Sequence, residues 1–162
     1  MSDPMQSPIF AQRRVEANIL KHVYETVKDS EGEAAARSIV ANAVRRASIA
    51  QAEEMAEGVE TSMESFQDIY ELWTRGGALE YEILDATETT FDFDVTRCRY
   101  AEMYREMGLG EIGHLLSCQR DGTFCEGYDP RIKMTRTQTI MQGADRCTFR
   151  YRFEENELVK GA

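Results

Sequence analysis

The sequence lacks most of the signals that announce a function directly. Its 162 residues hold only two histidines, His22 and His114, and neither sits in a nucleophile–base pattern. There is no G-x-S-x-G elbow, so a serine-hydrolase triad is not expected. No glycine-rich phosphate loop, C-x-x-C pair, internal repeat or low-complexity tract occurs. No apolar run approaches the roughly 18 residues of a membrane span, and Met1–Gln12 lacks the basic-then-apolar order of a signal peptide. Bases are also scarce: 19 Lys and Arg against 29 Asp and Glu leave a net charge of -10, which argues against nucleic acid as a partner. These absences exclude a membrane partner as well, and make the cytoplasm the expected location.

What is present is the composition of an ordinary globular chain, 42% hydrophobic and 30% charged, long enough to bury a core without a disulfide or metal staple. A single domain over 1–162 is expected, mainly helical over 1–75 and carrying its chemistry over 78–154. Four cysteines, at 98, 118, 125 and 147, all fall in that second half. In a reducing compartment they are expected to be thiols.

Hydrophobic spacing orders the elements. Val15, Ile19, Val23 and Val27, with Leu20 and Tyr24 alongside, form the stripe of an amphipathic helix over 8–29. Ser30-x-x-Glu33 has the form of a capping box for a second helix, with Ala36, Ile39/Val40, Ala43, Ala47 and Ala50 on one face. Thr61-x-x-Glu64 opens a third, whose apolar face runs Val59, Met63, Phe66, Tyr70 and Trp73 until Gly76-Gly77 ends it. The amphipathic first two helices also allow a homo-oligomer.

The period then changes to two. Leu79, Tyr81 and Ile83, then Phe91, Phe93 and Val95, alternate with polar residues and read as a hairpin. Thr96 is a candidate cap for a short helix over 97–107, another helical segment is expected over 110–117, and Gly122, Gly127 and Pro130 suggest a loop. Ile132, Met134, Arg136, Gln138 and Ile140 alternate, as do Cys147, Phe149, Tyr151 and Phe153, giving a second hairpin around Gly143. The class is therefore α+β: N-terminal helices on an antiparallel four-stranded sheet made from two hairpins, with short helices between them.

Arginines crowd the second half, at 97, 99, 136, 146, 150 and 152. A guanidinium fork matches both oxygens of a carboxylate, so a small carboxylate ligand held by Arg97 or Arg136 is one reading, and pairing with surface acids such as Glu102 or Glu154 is the other. Arg136 stands out because it is in phase with the apolar side of its strand, where a charge needs a partner. Cys118 and Asp121, at the edge of the expected loop, can converge without full burial. A thiol there is a nucleophile if a neighbouring arginine lowers its pKa, and a small buried hydrophobe otherwise. Asp121 and Glu126 are candidates for dividing acid and base work. Cys147, in phase with Phe149 and Tyr151, is expected in the core, and Cys98 and Cys125 carry no stronger signal. No cofactor is expected. A divalent metal on Cys118, Cys125, His114 and Asp121 is conceivable, but the spacing fits no common zinc pattern.

Five short pieces in order resemble one family: Phe93-Asp-Val-Thr-Arg-Cys-Arg-Tyr-Ala-Glu102; Cys118-x-x-Asp121; Glu126-Gly-Tyr128 with Pro130; Thr135-Arg-Thr-Gln-Thr-Ile-Met-Gln-Gly143; and Cys147-x-Phe149-Arg150. Together they are similar to the L-2-amino-thiazoline-4-carboxylate hydrolase family. Gly122 stands where the pattern would have an aromatic residue, and Thr148 where it would have an aspartate. The resemblance implies hydrolytic opening of a small carboxylate-bearing ring to a product such as N-carbamoyl-L-cysteine. It places Cys118, Asp121 and Glu126 as catalytic candidates and Arg97, Tyr100, Arg136, Thr137 and Thr139 as substrate-binding ones. Two routes stay open, attack by Cys118 on the ring carbon or direct attack by water. The hairpin–helix–hairpin plan also looks like that of 4-vinyl reductase domains, which implies an alternative: a module that binds a small molecule or tetrapyrrole without turnover.

Overall fold

The computed structural model describes residues 2–155; Met1 and 156–162 of the expected domain span lie outside the described residues. The architecture is α+β, as the hydrophobic periods require. Helix α1 (Pro8–Glu31) starts with Ser7, whose hydroxyl accepts from the Phe10 N–H, and with proline in its first turn. Helix α2 (Glu33–Ala56) follows at once. The break is not the capping box expected at Ser30. Ser30 lies within α1 and its hydroxyl bonds back to the Thr26 carbonyl, while Gly32, at φ 93°, turns the chain in a conformation that side-chain-bearing residues avoid. The two helices run antiparallel, since Arg13 and Gln12 of α1 both hydrogen-bond Gln51 near the end of α2.

The buried faces of both helices match the expected ones only in part: Tyr24, Ala36 and Val40 are buried as their spacing requires. On α1, Val15 is 71% and Ile19 63% exposed, while Ile9, Phe10, Arg13, Ala17 and Tyr24 are buried. The helix is turned so that an arginine faces inward and a valine–isoleucine stripe faces water. On α2 the buried ridge is Ala36, Val40, Val44, Ser48 and Ala52, four residues apart throughout. Ile39 and the alanines at 43, 47 and 50 face outward.

Helix α3 (Met63–Thr74) is capped by Ser62 and Ser65, each accepting from the other's backbone N–H, rather than by Thr61 and Glu64. Val59 lies before it and is exposed. Strands β1 (Leu79–Ala86) and β2 (Thr90–Cys98) form the first hairpin. Helix α4 (Arg99–Glu106) begins one residue after β2 ends; its cap is Cys98, whose sulfur accepts from the Ala101 N–H, not Thr96.

The largest departure lies between 114 and 128. A π-turn over His114–Cys118, closed by Gln119 N–H to the His114 carbonyl at 3.0 Å, leads into helix α5 (Arg120–Tyr128). Of the two glycines that suggested a loop here, Gly127 serves packing. A side chain at Gly127 would put its Cβ 2.4 Å from the Ile49 carbonyl oxygen and 3.0 Å from the Ala52 Cβ, so only glycine lets α5 lie this close to α2. Ser48 completes the seam by donating to the Arg120 carbonyl at 3.3 Å.

Strand β3 (Ile132–Thr135) is shorter than its alternating sequence, and β4 (Cys147–Phe153) closes an antiparallel sheet of order β1-β2-β4-β3. One face carries Phe91, Phe93, Val95, Cys147, Phe149 and Tyr151, all buried against the helices. Phe93 stacks on Phe149 across the β2–β4 pair at 4.7 Å between ring centroids. The other face is charged. There Asp94 takes Arg146 and Arg150, and Asp92 takes Arg152.

Candidate active site

Strand β3 stops where Arg136 leaves the sheet to meet α5. Its Nη1 donates to Asp121 Oδ2 at 2.6 Å, its Nη2 donates to the Cys118 carbonyl at 3.0 Å, and its guanidinium lies 4.9 Å from the Phe149 ring centroid. The partner that a charge on the apolar side of this strand requires is therefore Asp121. The π-turn helps set this geometry: its extra residue shifts the helical phase between Leu116 and Arg120, and Asp121 then falls in the first turn of α5, facing the sheet.

Arg136 and Cys118 stand in a wall between two spaces. Outside it is a cleft of about 360 Å³ between α5 and β3, bordered by Gly122, Glu126, Lys133 and Met134. Inside it is a cavity of about 40 Å³, lined in part by Tyr70, Trp73, Tyr100, Asp121 and the sulfurs of Cys98 and Cys147. A third chamber, of about 20 Å³, shares Tyr70, Trp73 and Asp121 with the cavity and ends at Arg13 and Arg120.

The electrostatics favour proton transfer over thiolate chemistry. Burial pushes the Asp121 carboxyl above the ordinary carboxylate range, with Arg136 opposing the rise, and an elevated carboxyl suits acid–base work. Burial, and after it the charge of Asp121, pushes the Cys118 thiol well up, outweighing the opposite pull of Arg136. Cys98 is pushed up to about 12 by burial, and Cys147 is raised by the same cause. The arginine beside Cys118 thus serves the carboxylate, and the sulfur stays a thiol.

Of the residues singled out in the sequence, Cys118, Asp121, Arg136 and Tyr100 come together around the inner cavity. Tyr100 is buried there, and its hydroxyl donates to the Trp73 carbonyl at 2.9 Å. Glu126 borders the outer cleft and pairs with Arg45 at 2.5 Å. It is five residues from Asp121 on one helix, and that spacing turns the two carboxylates away from each other. Thr139 is buried but spends its hydroxyl capping a turn at Gln142, and Thr137 bonds Thr148 on the exposed side. Arg97 lies apart, on the surface, paired with Glu102 at 2.8 Å and Glu80 at 3.5 Å. No three of His, Cys, Asp and Glu gather as a metal site among the described residues. Nor is any described helix long and apolar enough to cross a membrane.

The residues not foreseen are Arg13 and Arg120. They are 2% and 5% exposed and share one carboxylate, Glu16, at 3.1 and 2.9 Å. A signal for Arg120 was present: Leu116, Arg120, Phe124 and Tyr128 repeat every fourth residue, which is a helical ridge.

The family model of L-2-amino-thiazoline-4-carboxylic acid hydrolases matches residues 12–151, so it takes in most of α1, with Arg13, as well as the motif-bearing half. The chain belongs to this family. No curated protein sequence matches it. Among solved structures, the phenol-responsive sensory domain of the transcription activator PoxR, bound to phenol, is similar with a TM-score of 0.53 and 11% identity, over 87% of this chain and 74% of that one. A trafficking protein particle complex subunit 3 from Naegleria fowleri, covalently bound to palmitic acid, is similar with a TM-score of 0.49 and 13% identity, over 90% and 96% of the two chains. At these identities the likeness to the sensory domain is one of fold.

Proposed function

We propose that this family member opens a small carboxylate-bearing ring of the thiazoline type, L-2-amino-thiazoline-4-carboxylate or a close relative, by adding water; the parent ring gives N-carbamoyl-L-cysteine. The observation that carries this reading is the Asp121–Arg136 pair, set with Cys118 in the wall between a cleft and an inner cavity. The cleft admits substrate and water. A proton taken from solvent by the ring nitrogen makes the carbon between nitrogen and sulfur electrophilic. As water's oxygen bonds to that carbon, Asp121 takes one of its protons. As the carbon–sulfur bond breaks, its electron pair goes to sulfur, and Asp121 returns the proton there. The remaining hydroxyl proton leaves as the carbonyl forms, repaying the one taken from solvent, so the sum is one water added.

Arg136 keeps Asp121 aimed and favours its ionised state, and the raised thiol of Cys118 supports direct attack by water over a covalent adduct. The cysteines and aromatics around the cavity offer soft, apolar contacts to a sulfur-bearing ring. The test is to incubate the protein with the thiazoline carboxylate and follow the free thiol that ring opening releases. Thiol release above background, abolished in Asp121→Asn, is the expected result.

A second reading, binding without turnover, draws on the largely apolar inner cavity and on a fold shared with a ligand-bound sensory domain. Tight binding of a small aromatic or pigment, with no thiol released, would replace the first reading with this one.

A further inference from the structure

The ring-opening reading leaves a question that Arg136 does not answer: with its carboxylate partner already supplied by Asp121, what holds the carboxylate of the substrate? Arg97 is on the surface with Glu102 and Glu80. The remaining interior cations are Arg13 and Arg120.

Four observations converge on them. First, α1 buries Arg13 while leaving Val15 and Ile19 in water, although Leu20, Tyr24 and Val27 of the same stripe reach the core. Burying an arginine at that expense needs a compensating contact. Second, the interior charges do not balance. Arg13, Arg120 and Arg136 form one electrostatic cluster with Glu16 and Asp121, three cations to two anions. Third, the chamber of about 20 Å³ at their feet is large enough for a water molecule or a carboxylate oxygen, and Tyr70, Trp73 and Asp121 line both it and the inner cavity. Fourth, donors remain available. Arg120 gives its Nε to the Leu116 carbonyl and one Nη to Glu16, and its Nη1 has no hydrogen-bond partner among the described residues. Burial, and next the charge of Arg13, pull the Arg120 guanidinium down to about 10, with Glu16 and Asp121 opposing the fall.

We propose that this chamber is the carboxylate anchor of the site: Arg120, with Arg13 beside it, takes a small monovalent carboxylate and so holds the ring in the inner cavity against Asp121. The identity of the ligand as a ring substrate rests on the hydrolase reading; the anion site itself does not. The ring then has its carboxylate at the deep end and its reactive carbon toward the wall formed by Cys118 and Arg136, where water arrives from the cleft. The cavity of about 40 Å³ holds only a few waters, so side chains such as the half-buried Trp73 move aside to admit the ring. The arrangement also selects, since an uncharged relative would leave the extra cation unanswered.

The test uses acetate as the probe, with thermal unfolding and calorimetry on the full chain. Acetate is expected to raise the melting temperature of the wild type and to lose at least about tenfold in affinity in Arg120→Gln. Glu16→Gln gives the opposite sign: it removes the carboxylate that both arginines share, so acetate should bind about tenfold more tightly and recover the stability the substitution removes. Equal acetate binding by wild type, Arg120→Gln and Glu16→Gln would overturn the anchor. If Arg120→Gln does not fold, the Glu16→Gln result decides alone. With the thiazoline substrate, Arg120→Gln should raise KM much more than it lowers kcat, and the carboxamide analogue should bind wild type and variant alike. Wild type that binds acetate through Arg120 but releases no thiol would sink the ring-opening reading and leave the anchor in place. Ring opening with acetate binding indifferent to Arg120 would do the reverse.

Discussion

The molecule makes the same arginine–carboxylate contact in two settings, and the difference separates decoration from machinery. On the open face of the sheet, Arg146 and Arg150 share Asp94, and Arg152 takes Asp92. Arg146 and Arg152 are nearly half exposed there, with water and salt competing for each charge. Under the helices, Arg136 is 11% exposed against Asp121, and Arg13 and Arg120 are more buried still around Glu16. There the guanidiniums have little bulk water to fall back on and depend on their carboxylates, although Asp121 and Glu16 keep 21% and 27% of their side-chain surface. An exposed pair can be lost quietly; an interior one cannot.

That contrast is open to direct attack, and the largest effect should come from its interior side. Arg136→Met leaves Asp121 without its nearest cation, and such breaks cost about 3 kcal/mol or more of folding stability in denaturant titration. In the protein that folds, the Asp121 carboxyl rises further, and the acidic limb of the rate profile moves to higher pH. A limb that stays in place would show that Arg136 does not govern Asp121.

Asp121→Asn should lower kcat by about 10²–10⁴-fold, the range for loss of a proton-transfer group. The wild-type rate should fall as the pH drops through the raised Asp121 value, because a base must be ionised, and that limb should vanish in the variant. Stability has the reverse sign. A carboxyl whose folded pKa is raised contributes stability at low pH and loses it as the pH rises through the folded value. The stability of wild type relative to Asp121→Asn should therefore decline with rising pH, as paired denaturation curves would measure.

On the proposed direct attack by water, Cys118→Ser should keep activity within about tenfold, in line with a thiol that burial pushes up. A folded variant without activity, or a trapped covalent adduct in the mass spectrum of wild type, would restore the cysteine route. The smallest effects belong to the open face: Arg152→Ala should change stability by no more than about 1 kcal/mol, and less in added salt. Arg97→Ala should leave both kcat and KM unchanged; a raised KM would move the substrate carboxylate to the surface.

Much of this site was legible from residue spacing, in an uneven way. Arg136 could be marked because it interrupts an apolar alternation, and a charge in such a place must be answered. Cys147 could be placed in the core by phase with Phe149 and Tyr151, and it is buried beneath them. The segment holding Asp121 was misread as a loop because Gly122 and Gly127 are weak helix formers, and a local reading cannot tell a glycine that bends the chain from one that lets two helices touch. Arg13 was hidden by its neighbours, since Val15, Ile19 and Val23 make the more obvious stripe.

By itself the sequence determined the order of helices and strands apart from α5, the alternation that gathers the aromatics on one side of the sheet, and the motifs that mark the family. These depend on residues a few positions apart, whose spacing the backbone geometry converts into faces. The tertiary structure alone decided which way α1 and α5 turn. A helix can present either side to a core, and the choice belongs to the surfaces it meets: Gly127 against Ile49 and Ala52, Arg120 against Glu16, Asp121 against Arg136. The contacts with Ile49, Ala52 and Glu16 join segments far apart along the chain, and no local pattern carries their net balance of burial and charge.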